Sequence, residues 1–221
     1  MYKHIAIEGN IGSGKTTLAT LLSSELTAHC ILENFEENPF LAKYYNDFEK
    51  YALPVELFFL MTRLNQLKKF FSEAEQKNKS FYSDFIFDKT KIFASMHLKG
   101  ESLQLFENIF SELDEKHFLP DVVIYLHRPV DELKRNIFRR GRGMESDIPI
   151  AYLKSVEVGY RTAFENEKRF PVIWLNCGDI YYQPNDEIFR QIKNLINQKW
   201  EKGLHELDFI EGAKNGVKYL T

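Results

Sequence analysis

The stretch IAIEGNIGSGKTTLATLL, Ile5 to Leu22, decides how this chain is read. An apolar run meets a glycine-spaced turn, a lysine and two threonines, and then a helix-like pattern. Gly9, Asn10, Ile11, Gly12, Ser13, Gly14, Lys15 and Thr16 fit G-x-x-x-x-G-K-[ST] at every fixed position. Each part has a physical reason. Glycines let backbone N–H groups curl around a phosphate with no side chain in the way. The helix that follows, with Thr17 in its first turn, offers unpaired N–H groups and a positive dipole end. The Lys15 ammonium reaches the β- and γ-phosphates, and the Thr16 hydroxyl joins a Mg²⁺ shell. The plain alternative is a glycine-rich turn before a helix. Strand, spacing and the Lys-Thr pair together weigh against it, so the loop is expected to hold the phosphates of ATP or a similar triphosphate.

Working outward, 221 residues suit one domain, or one domain with a small lid. With 44% hydrophobic and 14% aromatic residues the chain can build a sizeable core. A formal charge of −3 argues against coating a nucleic-acid polymer. Cys30 and Cys177 have no metal spacing and read as reduced thiols of a cytoplasmic protein. "MYKHIAIEG" runs straight into the motif, so no secretory leader is expected. No apolar run reaches the roughly 18 residues of a membrane span.

Short Val/Ile-rich runs alternate with helical patterns. Strands are expected at Lys3–Glu8, His29–Glu33, Ser80–Phe85, Val122–His127 and Val172–Asn176. Helices are expected at Lys15–Leu26, about Tyr51–Glu75, Ser102–Lys116, Val130–Arg139, Ile150–Phe164 and Asn185–Lys199. This alternation predicts an α/β fold, a parallel sheet covered on both faces. Residues 200–221 have weak periodicity and form a tail of unassigned role.

The phosphate loop alone does not name a reaction. A guanine-reading N-K-x-D is missing, since "NKSF" at Asn78 lacks the aspartate, and no D-x-x-G switch occurs. The strand "VVIYLH" ends at His127 and not in the acidic pair of motor-type ATPases. Small-molecule kinases remain. Glu33, at the end of the second strand, points beyond a carboxyl end, where ligands bind in open parallel sheets. It can accept the proton of an attacking hydroxyl, or it is a solvated loop acid. Asp84 ends a central strand and can hold Mg²⁺ directly or through water. Asp88 follows, with a structural cap of the next helix as its rival role. Glu56 and Arg63, seven apart among aromatic residues, share a helix face. They form an exposed ion-paired stripe, or a polar grip in a pocket for a flat base. Arg135, Arg139, Arg140 and Arg142 crowd around Gly141 and Gly143. That is a solvated basic helix end or, for Arg140 and Arg142, an arginine-bearing lid over phosphates.

Taken together, "GNIGSGKTT", "LENFEENPF", "YYNDFEKYALPVELFFLMTR", "RRGRGMESDIPIAYL" and "LNCGDIYY" resemble the deoxynucleoside kinase family over about Tyr2 to Lys199. The resemblance implies a P-loop kinase fold with a five-stranded parallel sheet in the order 2-3-1-4-5, flanked by helices, as a single domain with a lid at about 139–148. It implies transfer of the γ-phosphoryl of ATP, with Mg²⁺ on Thr16 and Asp84, to the 5′-hydroxyl of a deoxynucleoside. Glu33 becomes the general base, assisted by Lys15 and by the phosphate arginines Arg140 and Arg142. Tyr45 and Glu145 fall where the family contacts the 3′-hydroxyl. Glu56 falls on its base-reading glutamine and Arg63 on its base-site arginine. Asp88 becomes the acidic partner of that arginine if one residue is deleted nearby. "LNCGDIYY", with Asp179 and Ile180, falls where the adenine of ATP lies. A homodimer through the helices around Glu56 and Leu103–Phe110 is implied as well.

Two departures stand out. The family's acid-arginine pair after the third strand is here Asp84-Phe85, with Lys89 as a candidate stand-in for the arginine. That loss also weakens the nearest rival, a thymidylate-kinase-like enzyme, whose monophosphate substrate needs extra cations. The other departure is Glu56 in place of glutamine. A carboxylate only accepts hydrogen bonds, which suits the N1–H and N2–H₂ of guanine. Yet "SDFIFDKTKIFAS" is similar to bacterial kinases associated with deoxyadenosine. A purine is expected, with the base left open. A non-catalytic nucleotide-binding module is the remaining alternative.

Overall fold

The computed structural model describes residues 2–77, 80–113, 118–145, 147–179, 183, 187–209 and 218–219. Five strands, β1 (His4–Gly9), β2 (His29–Ile31), β3 (Phe81–Ser83), β4 (Val122–His127) and β5 (Pro171–Asn176), run parallel in the order β2-β3-β1-β4-β5. This is the expected α/β sheet. It is extended beyond β5 by β6 (Gly203–Asp208), parallel to β5, and β7 (Lys218–Tyr219), antiparallel to β6.

Eight helices cover the sheet among the described residues: α1 (Lys15–Glu25), α2 (Leu41–Asn46), α3 (Phe48–Lys77), α4 (Lys89–His97), α5 (Gly100–Ser111), α6 (Val130–Arg140), α7 (Ile150–Glu165) and α8 (Glu187–Asn197). The period of two in a strand sorts the apolar runs onto the two faces. Ile5, Ile7, Ile124, Leu126, Ile173 and Leu175 pack under α1 and α8. Ala6, Val123, Tyr125, Val172 and Trp174 pack under α7 through Val156, Tyr160 and Phe164. Both faces being covered explains why the strands read as continuous apolar runs.

Four elements differ from expectation. The short helices α2 and α4 fall outside the expected stretches. They carry too few turns to show a period and are held by tertiary packing, α2 through buried Leu41 and Tyr44. Helix α3 starts three residues early and carries Pro54 in its interior. Proline there removes one backbone donor, while the flanking Ala52 and Val55 are fully packed and keep the segment helical. Part of the unassigned tail is β6, whose Leu207 is buried beside the sheet core. No helix among the described residues is long and apolar enough to cross a membrane.

Candidate active site

The phosphate loop joins β1 to α1 and is tied down from three sides. Gly12 adopts φ +83°, and a Cβ there would lie 2.7 Å from the Leu133 carbonyl of α6, so only glycine fits. The Asn10 side chain donates to the Leu153 carbonyl of α7 at 2.7 Å and accepts from the Ile11 N–H at 2.8 Å. Asn136 donates to the Gly12 carbonyl at 2.9 Å. Buried Arg128 donates through Nε to the Ser13 carbonyl at 2.8 Å and through Nη1 to the Gly178 carbonyl at 3.1 Å. It thereby joins the loop to the turn after β5 where Asp179 lies exposed. Ile180 lies outside the described residues. Sequence reasoning missed both Arg128 and Asn136. Arg128 carried a signal, because it directly follows the carboxyl end of β4.

Beyond the loop is a cleft of about 500 Å³, lined by Gly12 to Thr17 with Arg128, Asn136, Arg139, Arg140 and Arg142. The half-buried Lys15 ammonium donates to the Asn10 carbonyl at 3.4 Å. Burial, reinforced by the Lys89 charge, pulls its pKa down to about 8. The Thr16 hydroxyl donates to Asp84 Oδ2 at 2.6 Å, and Asp84 Oδ1 accepts the Glu33 N–H at 2.7 Å. One carboxylate thus links the phosphate loop, β3 and the segment after β2.

A second chamber of about 220 Å³ opens on the far side of the same residues. Lys15, Thr16, Arg140 and Arg142 line both cavities. Glu33 lines this chamber, and its N–H binds Asp84, the acceptor of the Thr16 hydroxyl. Its Oε1 meets Arg63 Nη2 at 2.5 Å and Nε at 2.7 Å, and its Oε2 meets Lys89 Nζ at 2.6 Å. Burial alone would raise this carboxyl, but Arg63 and then Lys89 outweigh it and hold the pKa at about 2. Lys89 thus stands directly beside Glu33. Buried Glu145 pairs with Arg140 and, at 3.7 Å, with Arg142, whose guanidinium stacks on Phe35 at 3.8 Å. Tyr45 also lines the chamber, its hydroxyl pKa pushed up by burial and then by Glu145.

Glu56 and Arg63 are both buried and both line this chamber, so the exposed ion-paired stripe is excluded. Glu56 Oε1 meets His97 Nδ1 at 2.9 Å. Arg63 also donates to the Thr90 hydroxyl at 2.7 Å and lies 4.8 Å from the centre of the Phe59 ring. Asp88 is not its partner, which corrects that expectation. Adjacent residues on a helix differ by about 100° in direction. Lys89 at the start of α4 faces Glu33, and Asp88 is turned away, to Arg169 at 2.9 Å. It lines a separate hollow with Glu167 and Lys91. Sequence reasoning missed Thr90 and His97. It also missed Glu8, a fully buried acid that accepts from the Ile86 N–H at 2.8 Å and the Tyr160 hydroxyl at 2.8 Å. Its pKa is raised by burial, moderated by Lys89 and Lys15.

A phosphate cleft and a second chamber that share Lys15, Thr16, Arg140 and Arg142 suit transfer of a phosphoryl group to a small acceptor. The model of one family, deoxynucleoside kinase, matches residues 5–198. The chain is 34% identical over 161 residues to a deoxyguanosine kinase of Bacillus subtilis, covering 73% of this chain and 78% of that one. It is 31% identical over 202 residues to a deoxyadenosine/deoxycytidine kinase of the same organism, covering 88% and 90%. Among solved structures, a deoxyadenosine kinase of M. mycoides with bound dATP superposes with a TM-score of 0.70 at 23% identity, over 88% of this chain and 100% of that one. Sheet order, cleft and sequence match agree from β1 to the end of α8: the chain is a kinase and belongs to the deoxynucleoside kinase family.

Proposed function

We propose that this kinase transfers the γ-phosphoryl of ATP to the 5′-hydroxyl of a purine deoxynucleoside, giving the 5′-monophosphate. The observation that carries the reading is Glu33, a carboxylate held ionised by Arg63 and Lys89 on the wall of the acceptor chamber and tied through Asp84 to Thr16 of the phosphate loop. ATP phosphates would lie on the loop backbone, with Lys15 and the dipole of α1 balancing their charge. In the acceptor chamber Tyr45 and Glu145 would hold the sugar, and Glu56 and Arg63 would face the base. Glu33 would accept the 5′-hydroxyl hydrogen bond and then its proton. Its low pKa makes it a weak base, which suits a loose transition state in which the proton leaves late. Arg140 and Arg142, poised on Glu145, would turn to the transferring group and exclude water.

The donor set fits Mg²⁺. Thr16 and Asp84 present hard oxygens at the phosphate end of the cleft, and Mg²⁺ bound with a nucleotide uses few protein ligands. When bound there it would supply charge neutralisation at the phosphate oxygens. A homodimer is proposed as well, through α3 and α5, where Met61 and Leu105 remain exposed while their neighbours are spent on the chain's own core. The setting is proposed to be cytoplasmic, in keeping with the free thiols Cys30 and Cys177.

ADP release across deoxynucleosides, their monophosphates and ribonucleosides tests the reading. Turnover is expected on a purine deoxynucleoside. Turnover on a monophosphate alone would replace the reading with a monophosphate kinase. Glu33→Gln is expected to keep deoxynucleoside binding while losing about 10²- to 10⁴-fold in kcat. Full turnover in that variant would remove Glu33 from the role of base.

A further inference from the structure

A fully buried acid lies beneath the phosphate loop and lines neither cavity. Glu8 is the penultimate residue of β1, directly before Gly9, where the loop begins. Its carboxylate accepts hydrogen bonds from three places. Oε2 accepts the Gly9 N–H at 3.2 Å and the Tyr160 hydroxyl of α7 at 2.8 Å. Oε1 accepts the Ile86 N–H at 2.8 Å. The Ile86 carbonyl in turn accepts the Lys89 N–H at 3.2 Å, closing the turn that opens α4 and sets Lys89 on Glu33. The segment from Asp84 to Lys89 is thus tied to the phosphate loop twice. Asp84 holds it at Thr16, the far end of the loop, and Glu8 holds it at Gly9, the entrance. Both backbone N–H groups can only donate, which suits an ionised carboxylate. Burying that charge is costly, and the Lys89 and Lys15 charges act on it from the cleft side. An apolar side chain would pack there without the cost.

We propose that Glu8 is a positioning residue of the kinase reaction, whose carboxylate holds the entrance of the phosphate loop and the Lys89 turn in one frame, so that the γ-phosphoryl on the loop is aligned with the acceptor hydroxyl beside Glu33. The inference rests on Glu33 and Lys89 standing at that hydroxyl. Transfer between two bound groups is sensitive to their spacing, and a misplacement of about 1 Å costs about 10²-fold. The phosphates lie on backbone that starts at Gly9, and Lys89 is one of the two cations that hold Glu33. Tyr160 steadies the carboxylate from α7, the helix whose Leu153 carbonyl also holds Asn10 of the loop. Each ligand has its own contacts, on the loop or in the chamber, and Glu8 makes none of them. Losing Glu8 therefore leaves binding in place and removes alignment, an effect on kcat and not on KM.

The test is Glu8→Gln, which keeps the volume and one acceptor oxygen. Its NH₂ faces a backbone N–H whichever way the amide turns, so one of the two backbone bonds is lost. At saturating ATP and deoxynucleoside, kcat is expected to fall about ten- to hundredfold, with both KM values within about threefold of native. A cycle with Lys89→Met gives a second readout. The double variant should lose less than the product of the two single losses, because both residues act on one frame. Native kcat in Glu8→Gln overturns the proposal. Lower stability or weaker binding with kcat kept overturns it too, since that marks a purely structural role. Losses that multiply in the cycle overturn the link to Lys89. Should Glu8→Gln not fold, Tyr160→Phe carries the test. It removes one donor from the same carboxylate and should lower kcat by about threefold or more at unchanged KM. Native kcat there is equally fatal. Glu33→Gln in the same assay separates the two readings. Full turnover in it, with a kcat loss in Glu8→Gln, would sink Glu33 as the base and leave the positioning role standing. The opposite pair of results would do the reverse.

Discussion

Lys89 and Lys15 show how two cations and a carboxylate divide the work within one cleft. Lys89 is bonded to Glu33 at 2.6 Å, and its charge also acts on Lys15 and Glu8. Removing it takes away one of the two cations that hold Glu33 near pKa 2. In Lys89→Met the Glu33 pKa should rise, so the acidic limb of kcat/KM for the nucleoside at saturating ATP moves to higher pH. Lys89→Arg should restore the limb. A pH profile unchanged in Lys89→Met would show that Lys89 does not set the state of Glu33. Lys15 titrates from the other side. Its pKa of about 8 in the free protein means that the cation is lost as pH rises through that value. ATP affinity is therefore expected to fall above about pH 8, with proton uptake on binding. Calorimetry in buffers of different ionisation enthalpy reads both effects.

At the scale of elements, the phosphate loop works because α6 and α7 brace it. The Leu133 carbonyl sits against Gly12, and the Leu153 carbonyl holds Asn10. Helix α6 then ends at Gly141, in the left-handed conformation at φ +68°, which turns the chain into the lid. Loop and lid therefore hang on the same helix. A Cβ at Gly12 would strain the backbone and press on α6. Gly12→Ala should cost about 1–3 kcal/mol of stability and weaken ATP binding at least tenfold. Urea unfolding and nucleotide titration measure the two effects. Retained ATP affinity would mean that the loop tolerates a shift away from α6.

For the molecule as a whole, the start of β1 carries a buried titratable group, His4, set against Ser83 of β3. His4 Nε2 lies 2.8 Å from the Ser83 hydroxyl oxygen. Burial, opposed by Asp121, takes the imidazole from 6.5 to about 4. The unfolded chain binds the proton first as pH falls. Stability from this group is full above about 6.5 and is lost as pH drops toward about 4, by roughly 3 kcal/mol in all. Glu33 acts lower. Its depressed carboxyl costs stability only as pH falls from about 4.5 toward about 2. Urea unfolding from pH 7.5 to 4.5 should show the first window, and His4→Gln should flatten it. An equal slope in that variant would assign the window to other groups.

The phosphate loop, the five-strand core and the strand-end positions of Glu33 and Asp84 were legible in the sequence. Each follows from local rules: periodicity, glycine spacing, and the position of a residue at a strand's carboxyl end. Residues whose partners come from distant segments were not legible. Asp88 read as the partner of Arg63, but the direction of α4 sends it to Arg169, 81 positions away. His97 meets Glu56 across 41 positions and Arg128 meets Ser13 across 115. Strand β6 became a strand because the edge of β5 lay open to pair with it. The sequence by itself determined which groups could do chemistry at the strand ends. Only the tertiary structure decided which buried charges neutralise one another, because that depends on which helix faces the packed core turns inward.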